Sequence, residues 1–547
     1  ESILLKKRQE LHARVASVIE TLFSDRLEEF SSVLAYHWAK AEDWKKAQEC
    51  LFKAGDQAGR IAADAEALSH YEQALETYAR VFGDTWDPVQ RASLDRKMGE
   101  AFYRRGEQEK AMEYLRHALA LLKRPFPEGT RGVRLAIVRE IAVQLGHRLM
   151  PGLFVRKGDG PVSPLVEEEA HLYERLGWIT ITGDPEMFLL SGLRLLNLSE
   201  RNALHLSTVF GFAVLQVAAD FLGLFRIADY WGRTGLGVAK TATDQAALGY
   251  AYGGITMHQF FLGRPTMALD SGRRSAEAFR TSGYWNLHGW AGQALFVGYG
   301  HNLLGNFAEA STLAQEIIRF GEDANDPQIR CWGLNLLGLS QYGMGQLHEA
   351  VPTLRETVEL AKTVPDPATH GYAGGFLGKC YVRLENLPMA FTTLRDIEAF
   401  ARSHGMAGAW NVTVHNGLAE AFLAAAEQST GSEKSKSMKD AHLACRKAVK
   451  CAKAYARYGV SEAMRHRGTY EWLATKPTAA QKWWMRSLSL ANDTGMRHQS
   501  GVTHLEMGRR LKDLEHLGQA EMIFAGIGAE WDLAETQRLL EANRGSG

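Results

Sequence analysis

Eight alanines recur at an almost constant spacing along the chain. The first five are 40, 42, 40 and 40 residues apart, and the last three resume at 39 and 40 residues after a gap of 51. The series consists of Ala228, Ala268, Ala310, Ala350, Ala390, Ala441, Ala480 and Ala520. A fixed period of this length predicts a repeat protein in which every repeat is one supersecondary unit.

A glycine stands five residues before each of the first four alanines. It is present at Gly223, Gly263, Gly305 and Gly345, and Glu385 occupies the equivalent position of the next repeat. A glycine at the end of an apolar helical pattern predicts a left-handed turn, because a residue without Cβ adopts positive φ at no steric cost. The alanine then begins a second amphipathic pattern. Each period therefore predicts a helical hairpin, which must stack on its neighbours to bury its apolar stripes.

Two segments carry this pattern in most detail. They contain Leu377, Gly378, Tyr381, Ala390 and Leu394 in one repeat, and Gly99, Phe102, Gly106, Ala111, Leu115 and Ala118 in another. These positions resemble the tetratricopeptide repeat, although a period of about 40 residues exceeds the standard length of about 34. The resemblance implies an all-α fold, a right-handed superhelical solenoid of tetratricopeptide-like helical hairpins. Longer helices or longer connections would account for the additional residues.

Composition and charge argue against nucleic acid and membranes as partners of this chain. The 547 residues include 63 Lys and Arg against 63 Asp and Glu, so the chain lacks the basic surface used for nucleic acid or anionic membranes. It has no apolar run of about 18 residues. Its five cysteines form no CxxC pair, which is typical of a reducing compartment. We expect a cytoplasmic chain without nucleic-acid or membrane partners and, since it lacks an initial Met, one cut from a larger protein.

The repeats predict three regions along the chain. Residues 1–122 hold N-terminal helices and an irregular repeat-like block, and residues 123–164 form a linker with one helix and two loops rich in Pro and Gly. Residues 165–547 form the main solenoid. The polar stretch 427–440 predicts a mobile loop that explains the longest alanine spacing, and a helix from Trp531 to Leu540 predicts a cap on the open end.

A second resemblance covers nearly the whole chain. The segments Leu4–Ala16, Leu34–Ala47, Gly146–Phe154 and Ala520–Thr536 look like the tetratricopeptide tails of large bacterial signalling proteins. In that group a STAND-type ATPase joins the tail to a class III adenylate or guanylate cyclase, a kinase or a transcriptional output domain. The resemblance implies that an ATPase and an output domain act in cis with this chain.

Catalytic and cofactor motifs are missing from the sequence. No phosphate-binding loop of the form GxxxxGK[ST] occurs, and no HExxH or similar metal-binding pattern is present among the 19 histidines. No Ser or Cys stands in a recognisable nucleophile arrangement. We therefore expect no catalytic residues, no metal site and no cofactor, and a chain that is not itself an enzyme.

The surface that remains for function is the concave face of the solenoid. In tetratricopeptide superhelices the first helix of each repeat lines this face, and aromatic, amide and guanidinium groups suit a peptide or polar ligand. Projecting that arrangement onto the chain selects Tyr299, Asn302, Trp332, Asn335, Tyr342, Tyr372, Lys379, Arg383 and Arg465.

Two functions fit this surface. The first is an interaction scaffold that holds a protein or peptide partner, or a second copy of the chain, in its groove. The second is a sensor in which a small-molecule inducer shifts the solenoid between two forms. A concave pocket with converging polar groups favours the sensor, whereas a long open groove favours the scaffold.

Overall fold

The fold was examined in a computed structural model, which describes residues 2–61, 63–83, 85–156, 158, 160–283, 287–364, 366–404 and 408–544, with the backbone alone at 2, 3, 287 and 544. Throughout these residues the regular structure is helical, without a β-strand. None of the described helices combines the length and the apolar composition needed to cross a membrane.

The α-helices of the first part of the chain are α1 (Ser2–Leu22), α2 (Ser31–Lys40), α3 (Trp44–Arg60), α4 (Asp64–Phe82), α5 (Pro88–Arg104), α6 (Gln108–Leu121), α7 (Gly129–Leu149), α8 (Pro151–Phe154), α9 (Pro164–Thr180) and α10 (Pro185–Asn202). The hairpins that follow are α11 (His205–Phe221) with α12 (Phe225–Ala242), α13 (Gln245–Phe261) with α14 (Pro265–Ser282), α15 (Leu287–Leu304) with α16 (Phe307–Asp323), and α17 (Pro327–Met344) with α18 (Leu347–Thr363).

The remaining helices are α19 (Pro367–Arg383), α20 (Leu387–Ser403), α21 (Val412–Gln428), α22 (Gly431–Tyr455), α23 (Val460–Leu473), α24 (Pro477–Thr494), α25 (Arg497–Leu511), α26 (Leu514–Ile527) and α27 (Glu530–Arg544). Short 3-10 helices occur at Leu27–Phe30, Ala409–Asn411 and Arg457–Gly459.

The chain divides into two compact units. Residues 1–132, 161–179 and 322–327 form one unit, and residues 133–160, 180–321 and 328–547 form the other. Most of α9, which the sequence assigned to the main solenoid, therefore lies with the N-terminal helices. Within this first unit Arg96 pairs with Glu168 at 2.6 Å, and Arg175 pairs with Glu100 at 2.7 Å, so buried ion pairs join α9 to α5.

The eight recurring alanines are the contact points of the hairpins in the second unit. Each is completely buried and lies on the second helix of its hairpin. Across the hairpin a glycine completes the close approach: a Cβ added at Gly378 on α19 would lie 2.4 Å from Leu394 on α20. The small residues of the repeat are therefore required by packing.

The turns between paired helices have the predicted left-handed conformation. Gly223, Gly263, Gly305 and Gly345 have φ between 67° and 83°, and Glu385 has φ 58°. Glu385 thus adopts the same backbone conformation as the glycines of the other repeats, even though a side chain is disfavoured there.

The polar stretch 427–440 corrects one expectation. It was predicted to be a mobile loop, but α22 begins at Gly431 and runs for 25 residues to Tyr455. Its packed part begins at Ala441, which is completely buried, and a helix already formed by packing extends at low cost through the Lys and Glu residues before it. The spacing of 51 residues therefore comes from the longer start of α22 together with the longer connection between Ser403 of α20 and Val412 of α21.

The second unit coils back on itself. The α15–α16 turn meets the start of α25, where Arg497 donates a hydrogen bond to the carbonyl oxygen of Leu304 at 2.8 Å across 193 residues. At the next turn, a Cβ added at Gly345 would lie 2.5 Å from the backbone nitrogen of Trp531 at the start of α27. The concave face between these contacts therefore forms a walled cavity.

Candidate functional site

The cavity of the second unit has a volume of about 620 Å³. Its wall comes almost entirely from the first helices of six successive hairpins, α15, α17, α19, α21, α23 and α25, together with α27. We call this space the central cavity. Because each of these helices contributes side chains to the wall, residues distant in sequence converge on one space.

Seven of the nine residues selected from sequence line the central cavity: Tyr299, Asn302, Tyr342, Tyr372, Lys379, Arg383 and Arg465. The other two are not among its lining residues. The Trp332 indole donates a hydrogen bond to Asp366 at 2.9 Å, next to the start of α19. Asn335 is completely buried and donates to the Tyr299 hydroxyl at 2.5 Å, so it supports the wall from behind.

Aromatic rings close one side of the central cavity. The rings of Tyr299 and Tyr372 have centroids 5.0 Å apart, and Tyr458 stacks on Phe260 at 4.6 Å. Burial raises the pKa of Tyr372 and Tyr458 far above the ordinary value, so their hydroxyls stay neutral. This side offers apolar contact and uncharged hydroxyl groups.

Arg383 is a buried cation of the wall that three neighbouring side chains hold in place. Its guanidinium lies 4.2 Å from the ring centroid of Tyr342 and 4.8 Å from that of Trp531, an arrangement typical of cation–π contact. Asp532 pairs with it at 3.3 Å. Burial alone would lower the pKa of Arg383, but Asp532 keeps it above the ordinary value, so the side chain is charged.

A second group of charges surrounds Glu462 on α23. Lys379 pairs with Glu462 at 2.7 Å, and Asn416 donates to the other carboxylate oxygen at 3.0 Å. Burial would raise the pKa of Glu462, but Lys379, His466 and Arg465 hold it well below the usual range. Burial together with Arg465 lowers the pKa of His466. The imidazole is therefore neutral at pH 7.

The same group has the spacing of a cation site. Glu420, Glu462 and His466 offer one ligand atom each within 4.8 Å of one another, which suits a divalent metal by distance. However, the Lys379 ammonium already lies on Glu462, and Arg465 lies 4.0 Å from it. Two neighbouring cations oppose a doubly charged ion at this position.

The third group of charges lies on α25. Arg510 pairs with Glu506 at 3.0 Å and also contacts Glu427, and Thr469 donates to Glu506 at 2.8 Å. Burial would raise the pKa of Glu506, but the neighbouring Arg510 and Arg509 lower it to about 2. These contacts also fix Glu427, which belongs to the stretch predicted to be mobile.

Several buried polar atoms around the central cavity have no hydrogen-bond partner. They are both amide atoms of Asn302, Nη1 of Arg383, Oε2 of Glu420, Nε of Arg465, Nε2 of His466, Oε1 of Gln499 and Nε of Arg509. A buried polar atom without a partner costs on the order of 1–3 kcal/mol. Their convergence on one cavity fits a polar molecule or water that completes these bonds.

Sequence reasoning missed the contributions of α21, α25 and α27, including Glu420, Gln499, Arg509 and Asp532, and it also missed Glu462 and His466 on α23. One signal could have found some of them. For five of the eight recurring alanines, the residue eleven positions earlier lines the central cavity, namely Tyr299, Leu339, Lys379, Thr469 and Arg509. Asp532 had no such signal, because α27 lies outside the repeat pattern.

Comparison with known proteins agrees with this architecture. Residues 64–124 match the family model of the tetratricopeptide repeat. A crystal structure of a Rap protein complexed with competence and sporulation factor aligns over 69% of this chain and 99% of that chain, with 12% identity and a TM-score of 0.51. The class is therefore an α-solenoid, and its hairpins have the tetratricopeptide-repeat type of fold.

A second solved structure aligns at a lower TM-score. The STAND protein with a tetratricopeptide repeat sensor from Pyrococcus horikoshii aligns over 75% of this chain and 55% of that chain, with 12% identity and a TM-score of 0.39. A search of curated proteins found no significant match by sequence.

Proposed function

We propose that this chain is a non-catalytic ligand-sensing region of a larger signalling protein, and that its ligand binds in the central cavity. The observation that carries the proposal is the convergence of buried polar atoms without partners on one walled space. A volume of about 620 Å³ lies within the range of small-molecule sites, about 300–1,000 Å³. A small molecule or a peptide of a few residues fits this space, whereas a folded protein does not.

The resemblance to bacterial STAND proteins supports a role for the ligand in regulation. In that arrangement the ATPase and its output domain lie in cis, and the solenoid reports the presence of an inducer. The wall of the central cavity joins α19 to α27 through Arg383 and Asp532. A ligand that binds both helices favours one curvature of the coil over others, which is a population shift. The five unpaired cysteines fit a reducing compartment such as the cytoplasm.

A thermal-shift screen of the purified chain against nucleotides, sugars, amino acids and short peptides tests the proposal, because a molecule that binds only the folded state raises the melting temperature. The matched variants are Ala424→Trp, which fills the central cavity, and Ala308→Trp on the exposed face of α16. We expect a dose-dependent rise that Ala424→Trp abolishes and Ala308→Trp retains. A rise that persists in Ala424→Trp, or no rise with any compound, contradicts the proposal.

A protein partner is the second candidate, and a different surface favours it. On α7 the apolar side chains of Leu135, Val138, Leu145 and Leu149 are 73%, 64%, 57% and 78% exposed and lie along one stripe. The flanking exposed charges include Arg139 and Arg134, of which Arg134 also pairs with Glu186 at 2.8 Å. This charge complements an acidic amphipathic helix.

Fluorescence anisotropy with a synthetic Leu- and Glu-rich helical peptide tests that partner, with Leu145→Asp as the variant and Leu443→Asp, at an exposed site on α22, as the control. Binding that Leu145→Asp alone removes supports the acidic helix. Sedimentation of the chain without peptide distinguishes a second copy, since Leu145→Asp would then convert a dimer to a monomer.

A further inference from the structure

We infer that the ligand of the central cavity is a small zwitterion, with a free carboxylate and a free ammonium group a few bonds apart, as in an amino acid or a short peptide. The inference rests on the proposed function and names its ligand class. Side chains of the cavity wall carry buried cationic donors and buried acceptors that have no hydrogen-bond partner, so a single molecule that carries both charges and enters between them satisfies both sets.

The carboxylate side is formed by Arg383 and Arg465. The Arg383 side chain is only 7% exposed, and Tyr342, Trp531 and Asp532 fix its position, yet its Nη1 has no hydrogen-bond partner. Nε of Arg465 is likewise unpaired. Guanidinium groups with free N–H donors bind carboxylates through charge-assisted hydrogen bonds. Since Arg383 is held in place before a ligand arrives, little side-chain entropy is lost on binding.

The ammonium side is formed by Glu420 and His466. Oε2 of Glu420 and Nε2 of His466 have no hydrogen-bond partner, and His466 is 1% exposed. The neutral imidazole adds no positive charge, and it offers an acceptor when Nδ1 carries the proton. Lys379 and Arg465 already neutralise Glu462, so Glu420 supplies the negative charge for a singly charged ammonium group. An ammonium group has three donors and a compact charge, which suits Glu420 and His466, because ligand atoms of these two residues lie within 4.8 Å of each other.

The remaining features of the wall agree with a ligand of no net charge. The lining contains six Lys and Arg residues against seven Asp and Glu residues, so neither sign dominates. Asn302 presents an unpaired amide donor and an unpaired amide acceptor, and these groups complement a peptide bond. An amino acid uses only the two charged sides, whereas a dipeptide uses Asn302 as well.

Calorimetric titration of the whole chain tests the ligand class with a matched series. The probes are the common amino acids, Ala-Ala, N-acetyl-Ala-Ala and Ala-Ala amide. We expect at least one amino acid or Ala-Ala to bind and, if Ala-Ala binds, each blocked derivative to lose at least about tenfold in affinity, because a buried charged partner is then left unmade. Binding of the amino acids without Ala-Ala, or of Ala-Ala without them, identifies the source of the zwitterion.

Protein variants separate the two sides of the site. Glu420→Gln removes the negative charge with little change in size, so it should weaken the zwitterion at least about tenfold while affecting the N-acetylated derivative much less. Arg465→Gln removes a donor to the ligand carboxylate, so it should also weaken binding of the zwitterion at least about tenfold. It should affect the binding of Ala-Ala amide, which has no carboxylate, much less. Glu433→Gln, at an exposed site on α22, is the control that should change neither.

The outcomes also separate this inference from the proposed function. If nucleotides or sugars bind, Ala424→Trp prevents that binding and no zwitterion binds, then the inferred ligand class is wrong but the proposed sensing function is retained. If no compound binds, both fail. If only Zn²⁺ or Mn²⁺ binds, and Glu420→Gln removes that binding, the cluster is a metal site and the inference is overturned.

Discussion

Arg383 on α19 pairs at 3.3 Å with Asp532 on α27, two residues 149 positions apart in the sequence. The pair joins the middle of the solenoid to its last helix, and it is buried on both sides, with side-chain exposures of 7% and 2%. His498 contacts the other Asp532 oxygen at 2.9 Å. The end of the chain is thus held against the wall of the central cavity by a carboxylate that serves two partners.

Removing this carboxylate should destabilise the second unit strongly. Asp532→Ala leaves a buried guanidinium without its ion-pair partner, and such a loss costs about 3–5 kcal/mol. Chemical denaturation monitored by circular dichroism measures the change. Arg538→Ala, at an exposed pair with Glu535, is the control and should change stability by less than about 1 kcal/mol. If the two substitutions lowered the free energy of unfolding equally, the buried ion pair would contribute no more to stability than the exposed one.

Two glycines on helices should respond in opposite directions to alanine. At Gly378 an added Cβ would lie 2.4 Å from the buried Leu394, so Gly378→Ala should destabilise by about 1–3 kcal/mol. At Gly518 on α26 nothing lies within 4 Å of the added atom. Gly518→Ala should therefore stabilise by about 0.5–1 kcal/mol, because alanine is the better helix former.

Paired unfolding curves of these two variants check the signs. A stabilised Gly378→Ala chain would mean that α19 and α20 separate more easily than their packing indicates.

The turn at Glu385 should accept glycine with a gain in stability. Its φ of 58° costs a residue with Cβ about 1–2 kcal/mol, and glycine would remove this cost. Glycine also has the greater conformational entropy in the unfolded chain, which offsets part of that gain. Glu385→Gly should raise stability by about 0.5–1 kcal/mol. Gly345→Ala, at the equivalent turn, should lower it because its Cβ would also meet Trp531. The test is a comparison of melting temperatures, and a loss for Glu385→Gly would refute the prediction.

Acid should weaken the second unit through Glu506. Its pKa is lowered to about 2 by Arg510 and Arg509, against burial, whereas the unfolded chain titrates near 4.3. The unfolded state therefore binds the proton first, and the stability contributed by Glu506 is complete above about pH 4.5 and falls as the pH drops toward 2.

Denaturation measured from pH 6 to pH 2.5 should show a shallower loss of stability in Glu506→Gln than in the parent chain. Glu433→Gln, which alters an exposed glutamate, should leave the slope unchanged. A parent slope that Glu506→Gln does not reduce would assign the acid sensitivity to other carboxylates.

Periodicity explains why so much of the architecture followed from sequence. A stacked repeat makes mostly local contacts, so the position of each alanine and turn residue depends on its own hairpin. The pattern was therefore sufficient to predict the buried alanines, the positive φ at Gly345 and the cavity-facing register that contains Tyr299 and Lys379. The stretch 427–440 failed because composition alone does not reveal that a packed helix extends into it.

The sequence by itself determined the helical hairpins, their order and the register that contains Tyr299 and Lys379. Only the tertiary structure decided that the coil returns on itself, that Asp532 meets Arg383, and that Trp332 binds Asp366 rather than facing the cavity. The physical reason is that small differences in packing angle accumulate over successive hairpins, and contacts across 193 residues depend on that sum. No local sequence pattern determines the accumulated packing angle. The central cavity and its unpaired polar atoms could therefore be identified only from the tertiary structure.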